Sequence, residues 1–294
     1  MQESITQLLE SADVMDRISS QFCRDTECND ERMKSASGID NCEWYHSGWL
    51  YCRMAGIIIS KDFLEDKYRE FFYERVEKNK INVLICGFAD YAILNNIISV
   101  IPEALKKNVY FTLIDICQSP IELCKWYVNK VYSDFKDQIS YIKADATSIP
   151  IEDGKFDLIT SYSFLTRMSK QLMKKVINEW HRLLSDDGII LTTVRITIGE
   201  EVQENFSRSS SSSIAYGMNK VEEFIEKNHI SPVLSIKIKN KAKNYLCNIM
   251  SSCLLDSTIK SSFDCLNCSF WYYDQPGELE STHKMMGILA KKGE

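Results

Sequence analysis

The sequence contains no long apolar run and no segment rich in lysine and arginine. A membrane-spanning helix needs about 18 consecutive apolar residues, and no stretch of the chain approaches that length. The net charge is −6 at pH 7, so the basic surface that binds nucleic acid is not expected. Residues 1–4 do not show the basic-then-apolar layout of a signal peptide. We therefore expect a cytoplasmic protein with no membrane or nucleic-acid partner.

Several common catalytic motifs are also missing, among them a phosphate-binding Walker loop and a His-Glu-x-x-His pair. The 11 cysteines are scattered without a repeating framework, which favours reduced thiols over disulfides. Cys247, Cys253, Cys265 and Cys268 end in a Cys-x-x-Cys pair. Their role is left open between buried thiols, half of a structural zinc site and a redox pair. No metal ligands are assigned.

The chain has 294 residues and 45% hydrophobic content, enough for one large domain or a domain with a cap. From Ile5 to about Asn79, glycine and proline are almost absent, and apolar residues recur at spacings of three and four. The recurring residues are Phe63, Leu64, Tyr68, Phe71, Phe72 and Val76. This pattern predicts a helical cap or substrate lid over residues 1–79.

A different pattern begins at Ile81, where short apolar runs alternate with longer helical segments. Such alternation predicts a parallel sheet covered by helices on both faces, so residues 80–294 are expected to form a Rossmann-like α/β domain. The predicted strands are Ile81–Gly87, Val109–Asp115, Ile139–Lys143, Phe156–Ser161 and Ile189–Val194. The predicted helices are Tyr91–Leu105, Pro120–Val131 and Lys170–Leu184, with a turn at Asp186–Gly188.

Beyond Arg195 the alternation is less regular. The polar run Ser207–Ser213 predicts a loop, Lys220–Asn228 a helix and Val233–Lys239 a strand. Residues from about 240 to 280 are expected to form an insertion. His283–Ala290 is the predicted last strand of the sheet.

Ligands of an open parallel sheet bind outside the carboxyl ends of its strands, where the strand order reverses. The loop after the first predicted strand contains Gly87, Phe88 and Ala89. Glycine lets the backbone come close to a ligand, and the following helix offers its N-terminal amides to a carboxylate. Asp115 ends the second strand and is followed by Ile116. An acid at that position can accept hydrogen bonds from ribose hydroxyls.

Three further strand ends add to this candidate site. After the third strand, Asp145 can receive an adenine amino group beside the small apolar side chain of Ala146. After the fourth, Ser161 and Tyr162 lie where the transferable group of a cofactor is expected. Arg195 ends the fifth strand and suits a substrate carboxylate, with a surface ion pair as the alternative.

The order of these motifs resembles the class I S-adenosylmethionine (SAM) dependent methyltransferases. The resemblance covers about Ile81–Val194, and its most distinctive motifs are Phe156–Ile159 and Leu183–Leu191. It implies a seven-stranded, mostly parallel sheet with an antiparallel last strand and SAM bound across the strand ends. The cofactor-binding residues that it implies are Gly87, Phe88, Ala89, Asp115, Ile116, Asp145, Ala146 and Ser161.

The first loop departs from the pattern of that family. Where the family usually has an acid and three glycines, this sequence has Ile85, Gly87, Ala89 and Tyr91. Three interpretations stay open: a divergent but competent SAM site, a site that holds SAM in an altered pose for different chemistry, and a protein without catalysis. The two strand-end acids favour a working pocket.

Outside the predicted sheet, Cys42–Arg53 is the segment densest in chemically useful side chains. Electron-rich rings stabilise a sulfonium cation and exclude water, whereas the alternative is that these residues form the core of the cap. The candidate substrate-binding residues are Trp44, Tyr45, Trp49, Tyr51 and Arg53. His46 is a candidate general base or a structural residue. Tyr162 is the second candidate catalytic residue, through contact with the acceptor, with packing beneath the cap as the alternative.

The leading hypothesis is a SAM-dependent methyltransferase that acts on a small, amino-acid-like or carboxylate-bearing acceptor. The alternatives are an enzyme of the same fold that cyclises SAM or transfers its aminocarboxypropyl group, releasing methylthioadenosine, and a non-catalytic binding or sensor protein. Methyl transfer depends mainly on proximity and in-line approach, so the residues do not name the acceptor atom. A homodimer is left open.

Overall fold

The computed structural model describes residues 4–23, 42–58, 63–197, 207–251, 254–274 and 283–293. The chain divides into two compact units. The sheet unit comprises Asp62–Ile116, Val128–Asn205 and Ser252–Glu294, and the helical unit comprises Met1–Lys61, Cys117–Tyr127 and Phe206–Ser251. None of the helices in the described ranges has the length and apolar character that crossing a membrane requires.

Helices and strands alternate through the middle of the chain as the sequence predicts. The α-helices are α1 (Ile5–Phe22), α2 (Glu43–Met54), α3 (Glu65–Tyr73), α4 (Ala92–Val100), α5 (Gln118–Val131), α6 (Lys170–Leu183), α7 (Ser211–Lys227), α8 (Pro232–Asn248) and α9 (Asp256–Ser262). The strands are β1 (Ile81–Cys86), β2 (Val109–Asp115), β3 (Ile139–Lys143), β4 (Phe156–Tyr162), β5 (Leu184–Thr197), β6 (Ser207–Arg208), β7 (Met250–Ser251), β8 (Leu254–Leu255), β9 (Leu266–Asp274) and β10 (His283–Lys292).

The main sheet has the strand order β3-β2-β1-β4-β5-β10-β9, and β8 pairs with the end of β5. Strands β1 to β5 are parallel, and β10 is antiparallel to both β5 and β9. The predicted α/β fold with an antiparallel last strand is therefore confirmed. Within the described residues the sheet has eight strands instead of the seven predicted, because the short β8 pairs with β5 off the seven-strand path. The strand order reverses between β1 and β4, which makes this the switch point of the sheet.

The core of the sheet unit explains why these segments fold as they do. Helix α6 begins after Ser169, whose side chain accepts a hydrogen bond from the Leu172 N–H. The helix buries one face against the sheet, and each large apolar side chain contributes about 1.5 to 3 kcal/mol. The buried residues on that face are Met173, Val176, Ile177, Trp180 and Leu183. On α3, the Tyr68 hydroxyl lies 2.7 Å from Thr160 Oγ1 of β4.

The helical unit contains α1, α2, α7 and α8. Gly48 on α2 allows a close approach to α8, because a Cβ added there would lie 2.5 Å from Tyr245 Cβ. The compact units differ from the predicted division between residues 79 and 80. Helix α3 belongs to the sheet unit, whereas α7 and α8 belong to the helical unit.

Three local predictions are wrong. The predicted strand Val233–Lys239 is the beginning of α8, where Ile236 is 63% exposed and Ile238 is fully buried, so alternate apolar residues do not share a face. The predicted serine loop contains β6 and the first turn of α7, with Ser210 as N-cap. The predicted turn Asp186–Gly188 is an irregularity within β5, where the pairing shifts between Phe156 and Leu158 of β4.

Candidate functional site

The loop that leaves β1 requires glycine at its first position. Gly87 has a φ of +70°, and its N–H donates to the Ile114 carbonyl at 2.9 Å. The Phe164 ring packs over this glycine, since a Cβ added there would lie 2.1 Å from Phe164 Cδ2. Both the left-handed backbone and the ring exclude a side chain at this position.

The residues after Gly87 lead into α4. Phe88 is buried and Ala89 is half-buried. The Oδ1 of Asp90, itself buried, accepts a hydrogen bond from the Ala92 N–H at 2.7 Å. One amide at the start of α4 is therefore already bound by a carboxylate of the chain.

Asp115 connects the end of β2 to the loops after β1 and β3. Its Oδ2 accepts a hydrogen bond from the Phe88 N–H at 3.0 Å, and its carbonyl accepts one from the Ala144 N–H at 3.0 Å. Ile116 follows and is 47% exposed. An exposed apolar side chain next to a strand-end acid is a suitable surface for a flat ring.

Asp145 lies in the loop after β3 and is exposed. Its Oδ1 accepts hydrogen bonds from the N–H and the hydroxyl of Thr147, both at 2.8 Å, which fixes the direction of the carboxylate. The next residue, Ala146, is buried. Because β2 and β3 are neighbours in the sheet and Asp115 pairs with Lys143, the two strand-end acids lie at the same edge.

Two charged residues of α6 hold the end of this loop. Glu179 accepts hydrogen bonds from the Ile149 N–H at 2.7 Å and from Arg182 Nη2 at 2.6 Å. Arg182 also donates to the carbonyls of Ile149 and Ile151, at 3.0 and 2.8 Å. Hydrogen bonding from Arg182 lowers the pKa of the Glu179 carboxyl, against the opposing effect of its desolvation. The loop that carries Asp145 is thus anchored to a helix.

Cys86, the last residue of β1, is not suited to act as a nucleophile. It is fully buried, and this desolvation raises the pKa of its thiol to about 12. The thiol therefore stays protonated at neutral pH. Its contribution is to the core beneath the Gly87 loop.

Ser161 and Tyr162, at the end of β4, lie on opposite faces of the sheet because successive side chains alternate. Ser161 is fully buried, and its hydroxyl lies 2.7 Å from Thr192 Oγ1 on β5. Its hydroxyl is thus engaged with Thr192 inside the sheet, and its cofactor-binding role stays a prediction. Tyr162 is half-buried and stacks on Phe63, with ring centroids 6.3 Å apart and planes at 12°.

Three aromatic residues close to Tyr162 were missed by the sequence reasoning. Phe63 contacts Tyr273 at a centroid distance of 4.9 Å, and Trp271 Nε1 donates to the Tyr273 hydroxyl. Tyr273 lies next to the carboxyl end of β9. The sequence shows that Cys247–Tyr273 is rich in aromatic residues. It does not show which strand ends these residues lie near, because that depends on the pairing of β9 with β10.

Arg195 is half-buried on β5, two residues beyond Thr193, which pairs with Tyr162 at the end of β4. Its neighbours Val194 and Ile196 are buried in the core. Since side chains alternate along a strand, Arg195 lies on the sheet face opposite to them. Arg195 therefore lies beyond the end of β4, at the edge of the sheet where the sequence predicts the candidate site.

The predicted substrate-binding aromatics lie inside the helical unit. Tyr51 is fully buried, and its hydroxyl donates to Asp16 Oδ2 at 3.2 Å. Three rings surround the Tyr245 ring of α8 at centroid distances of 5.6 to 6.2 Å; they are Trp44, Tyr45 and Trp49. Such ring contacts are typical of a helical core. Packing in the core of the cap is the alternative to substrate binding that the sequence left open. The substrate-binding role of these residues stays a prediction.

His46 and Arg53 are also buried on α2, 3% and 9% exposed. His46 lies beside Cys23, Cys42 and Cys117. Its role as general base and the substrate-binding role of Arg53 remain predictions. A shallow surface depression of 640 Å³ lies elsewhere, on α9 and β9, and none of the predicted site residues lines it.

The switch point between β1 and β4, the tight glycine loop and the two strand-end acids define a Rossmann-like α/β protein with its candidate ligand site at the carboxyl ends of the strands. Residues 99–192 match the model of a family described as a methyltransferase domain. The matched range includes Asp115, Asp145 and Tyr162, and it begins after the divergent loop at Gly87.

Similarity to individual proteins is more distant. A segment of 81 residues is 30% identical to an uncharacterized protein of Haemophilus influenzae and covers 28% of this chain. The chain thus spans about a third, 32%, of the length of this curated relative. Two solved structures illustrate the likeness. A SAM-dependent methyltransferase from Methanosarcina mazei is 12% identical, covering 76% of this chain and 97% of that one, with a TM-score of 0.45. Geranyl diphosphate C-methyltransferase from Streptomyces coelicolor A3(2) is 8% identical, covering 78% and 80%, with a TM-score of 0.47.

The family match confirms the resemblance predicted from the sequence. Residues 99–192 are about a third of the chain, and the similarity to a methyltransferase domain is shown for that part.

Proposed function

We propose that this protein transfers the methyl group of SAM to a small-molecule acceptor. The observation that carries the proposal is the arrangement at the switch point. Asp115 holds the Phe88 amide at 3.0 Å, and Asp145 lies in the loop after the neighbouring strand, within the range that matches a methyltransferase domain. A nucleoside ligand requires acceptors for its hydroxyl and amino groups at this place.

The strand-end residues fit the adenosine part of SAM. Asp115 accepts hydrogen bonds from ribose hydroxyls, and Asp145 accepts one from the adenine amino group. Two apolar side chains, exposed Ile116 beside Asp115 and buried Ala146, pack against the adenine base. Gly87 and Phe88 bring the backbone close to the methionine part, and a side chain at Gly87 is excluded by the Phe164 ring. SAM supplies an electrophilic methyl group on a sulfonium, and the chain contributes position, orientation and exclusion of water.

The acceptor side of the proposal rests on the end of β4. Tyr162 and Phe63 are stacked, Tyr273 contacts Phe63, and Arg195 lies beyond the same strand end. Flat rings favour an apolar acceptor, and a guanidinium binds a carboxylate with two parallel hydrogen bonds. We therefore favour an acceptor that combines an apolar part with a carboxylate.

The second candidate function is an enzyme that consumes SAM itself. Asp90 places a buried carboxylate on the Ala92 amide, at the helix end where the carboxylate of SAM would otherwise bind. Repulsion between the two carboxylates would displace the methionine part of SAM. A displaced methionine part favours intramolecular cyclisation or aminocarboxypropyl transfer, with methylthioadenosine as product.

Mass spectrometry separates these functions. The protein is incubated overnight with SAM that carries a deuterated methyl group, with and without a small-molecule extract of the source cells. Methyl transfer predicts S-adenosylhomocysteine only when the extract is present, together with one extract compound that carries the label. Methylthioadenosine in both incubations would establish the second function, and SAM that stays intact in both would leave neither enzyme function standing. The cytoplasmic location stays a prediction.

A further inference from the structure

Four buried side chains that the sequence reasoning did not connect meet in the helical unit. Cys23 follows the last residue of α1, Cys42 precedes α2, His46 lies on the first turn of α2 and Cys117 precedes α5. Each is at most 3% exposed. Their ligand atoms, the three Sγ atoms and a ring nitrogen of His46, all lie within 4.8 Å of one another. We name these four residues the Cys3His cluster.

The distances in the Cys3His cluster suit a tetrahedral metal ion. The Sγ atoms of Cys42 and Cys117 are 3.8 Å apart. In a tetrahedral site with zinc–sulfur bonds of about 2.3 Å, two sulfurs are separated by about 3.8 Å. The widest separation in the cluster, 4.8 Å, is about 1 Å larger, a gap that small rotations of the side chains close.

Local structure explains how two of the ligands come together. Cys42 and His46 are four residues apart, and the His46 N–H donates to the Cys42 carbonyl at 3.2 Å. Residues at this spacing lie above one another on the same helix face. Cys117 is brought to them by the chain segment between β2 and α5. Cys23 reaches them from the C-terminus of α1.

A hydroxyl group supports the cluster from outside. Ser119 Oγ, on the first turn of α5, lies 3.2 Å from Cys23 Sγ. Ser119 is fully buried. A hydroxyl at this distance donates a hydrogen bond to a thiolate and fixes its orientation, as the outer partners of metal ligands commonly do.

From these observations we propose that the Cys3His cluster binds one structural zinc ion. Three cysteines and one histidine are an established ligand set for structural zinc, and thiolate with imidazole selects zinc over magnesium or calcium. Four protein ligands complete the coordination and leave no position for water or substrate, so the ion is structural and not catalytic.

Binding has a defined proton balance. The three thiols lose their protons to solvent, His46 binds through a neutral ring nitrogen, and the zinc ion replaces the three protons. The ion then links the end of α1, the start of α2 and the segment before α5. This inference does not depend on the proposed methyl transfer, since all four ligands belong to the helical unit.

Zinc analysis of the full-length protein tests the proposal. The protein is purified under reducing conditions without chelators, and its metal content is measured by mass spectrometry. We expect about one zinc ion per chain, and X-ray absorption should show three sulfurs and one nitrogen, with bond lengths of about 2.3 and 2.0 Å. Absence of zinc, together with no uptake of Co²⁺ by the reduced protein, would overturn the proposal. A zinc shell without sulfur would overturn it as well.

Two matched variants locate the ion. Cys42→Ala removes a ligand and should lose most of the zinc, whereas Cys52→Ala removes another buried thiol near the end of α2 and should keep it. Cys265→Ser, an exposed member of the Cys-x-x-Cys pair, should also keep it. Zinc that remains in Cys42→Ala and disappears in Cys265→Ser would place the ion elsewhere. If Cys42→Ala does not fold, the absorption spectrum of the wild-type protein still decides.

Discussion

At the scale of single residues, Gly87 combines two constraints that substitution can separate. Its φ is +70°, and the Phe164 ring occupies the place of a side chain. Gly154 has a φ of +65° with nothing within 4 Å of an added Cβ. We expect Gly154→Ala to lower the free energy of unfolding by about 1 to 2 kcal/mol, the cost of a left-handed backbone. Gly87→Ala should lose a further 1 to 3 kcal/mol, roughly, because of the clash.

Urea denaturation of the two glycine variants measures this difference. Equal losses would show that the Phe164 ring moves aside at no cost. Gly87→Ala should in addition weaken SAM binding, whereas Gly154→Ala should not.

Two roles are considered for His46, zinc ligand and general base, and they predict different results for the same variant. As a zinc ligand, it should take the ion with it, so His46→Ala should lose zinc and melt at a lower temperature. As a general base, its removal should leave the zinc in place and slow methyl transfer by about tenfold or more. We expect the first result, measured as zinc content and melting temperature of the purified variant. A variant with full zinc content and unchanged melting would exclude the ligand role.

At the scale of elements, the loop after β3 depends on α6 through Glu179. The pKa of Glu179 is lowered in the folded protein because Arg182 and the Ile149 amide bind its charged form. A carboxyl with a lowered folded-state pKa stabilises the fold above its unfolded value of about 4.3, and this contribution disappears as the pH falls through the lower folded-state value.

The variant Glu179→Gln should therefore melt below the wild type at pH 7, by an amount equivalent to about 1 to 2 kcal/mol. The difference should shrink as the pH falls below about 4. Thermal melts across this pH range, with Glu152→Gln on the same exposed loop as a control, make the comparison. A gap in melting temperature that is independent of pH would show that the charge of Glu179 does not stabilise the loop.

Elements also show which parts of the fold the sequence could predict. Strands β2 and β3 begin and end at the predicted residues, because each is a short run rich in aromatic and β-branched residues and bounded by polar ones. Helix α8 was predicted to begin as a strand because the apolar residues Val233, Ile236 and Ile238 lie among polar neighbours, and over so few residues this pattern resembles that of a strand. Only the later residues Ala242, Tyr245 and Leu246 continue a helical face.

The two candidate sites differ in how far the sequence could predict them. Asp115 and Asp145 could be predicted from the sequence because each follows its own strand, and parallel strands bring their carboxyl ends to one edge. The Cys3His cluster could not, because its ligands lie at helix ends between Cys23 and Cys117. Their meeting depends on how helices pack, for which the sequence offers no spacing rule.

At the scale of the whole molecule, the two units should respond to different ligands. S-adenosylhomocysteine should protect the backbone amides of residues 86–91 and 143–149 from hydrogen exchange, since these loops flank the strand-end acids. Removal of zinc by a chelator should instead expose residues 19–23 and 42–47 at the helix ends. Exchange followed by mass spectrometry distinguishes the segments. Protection of the same segments by both treatments would contradict the assignment of two separate sites.

Calorimetric titration with S-adenosylhomocysteine shows whether the strand-end acids bind the cofactor. The wild type should bind one equivalent, and Asp115→Ala should bind about 10- to 100-fold more weakly, because hydrogen bonds to a charged group contribute about 1.5 to 3 kcal/mol. Asp137→Ala, an exposed acid before the start of β3, should bind like the wild type. Equal affinities for Asp115→Ala and the wild type, or no binding by the wild type, would show that the strand-end acids do not bind SAM.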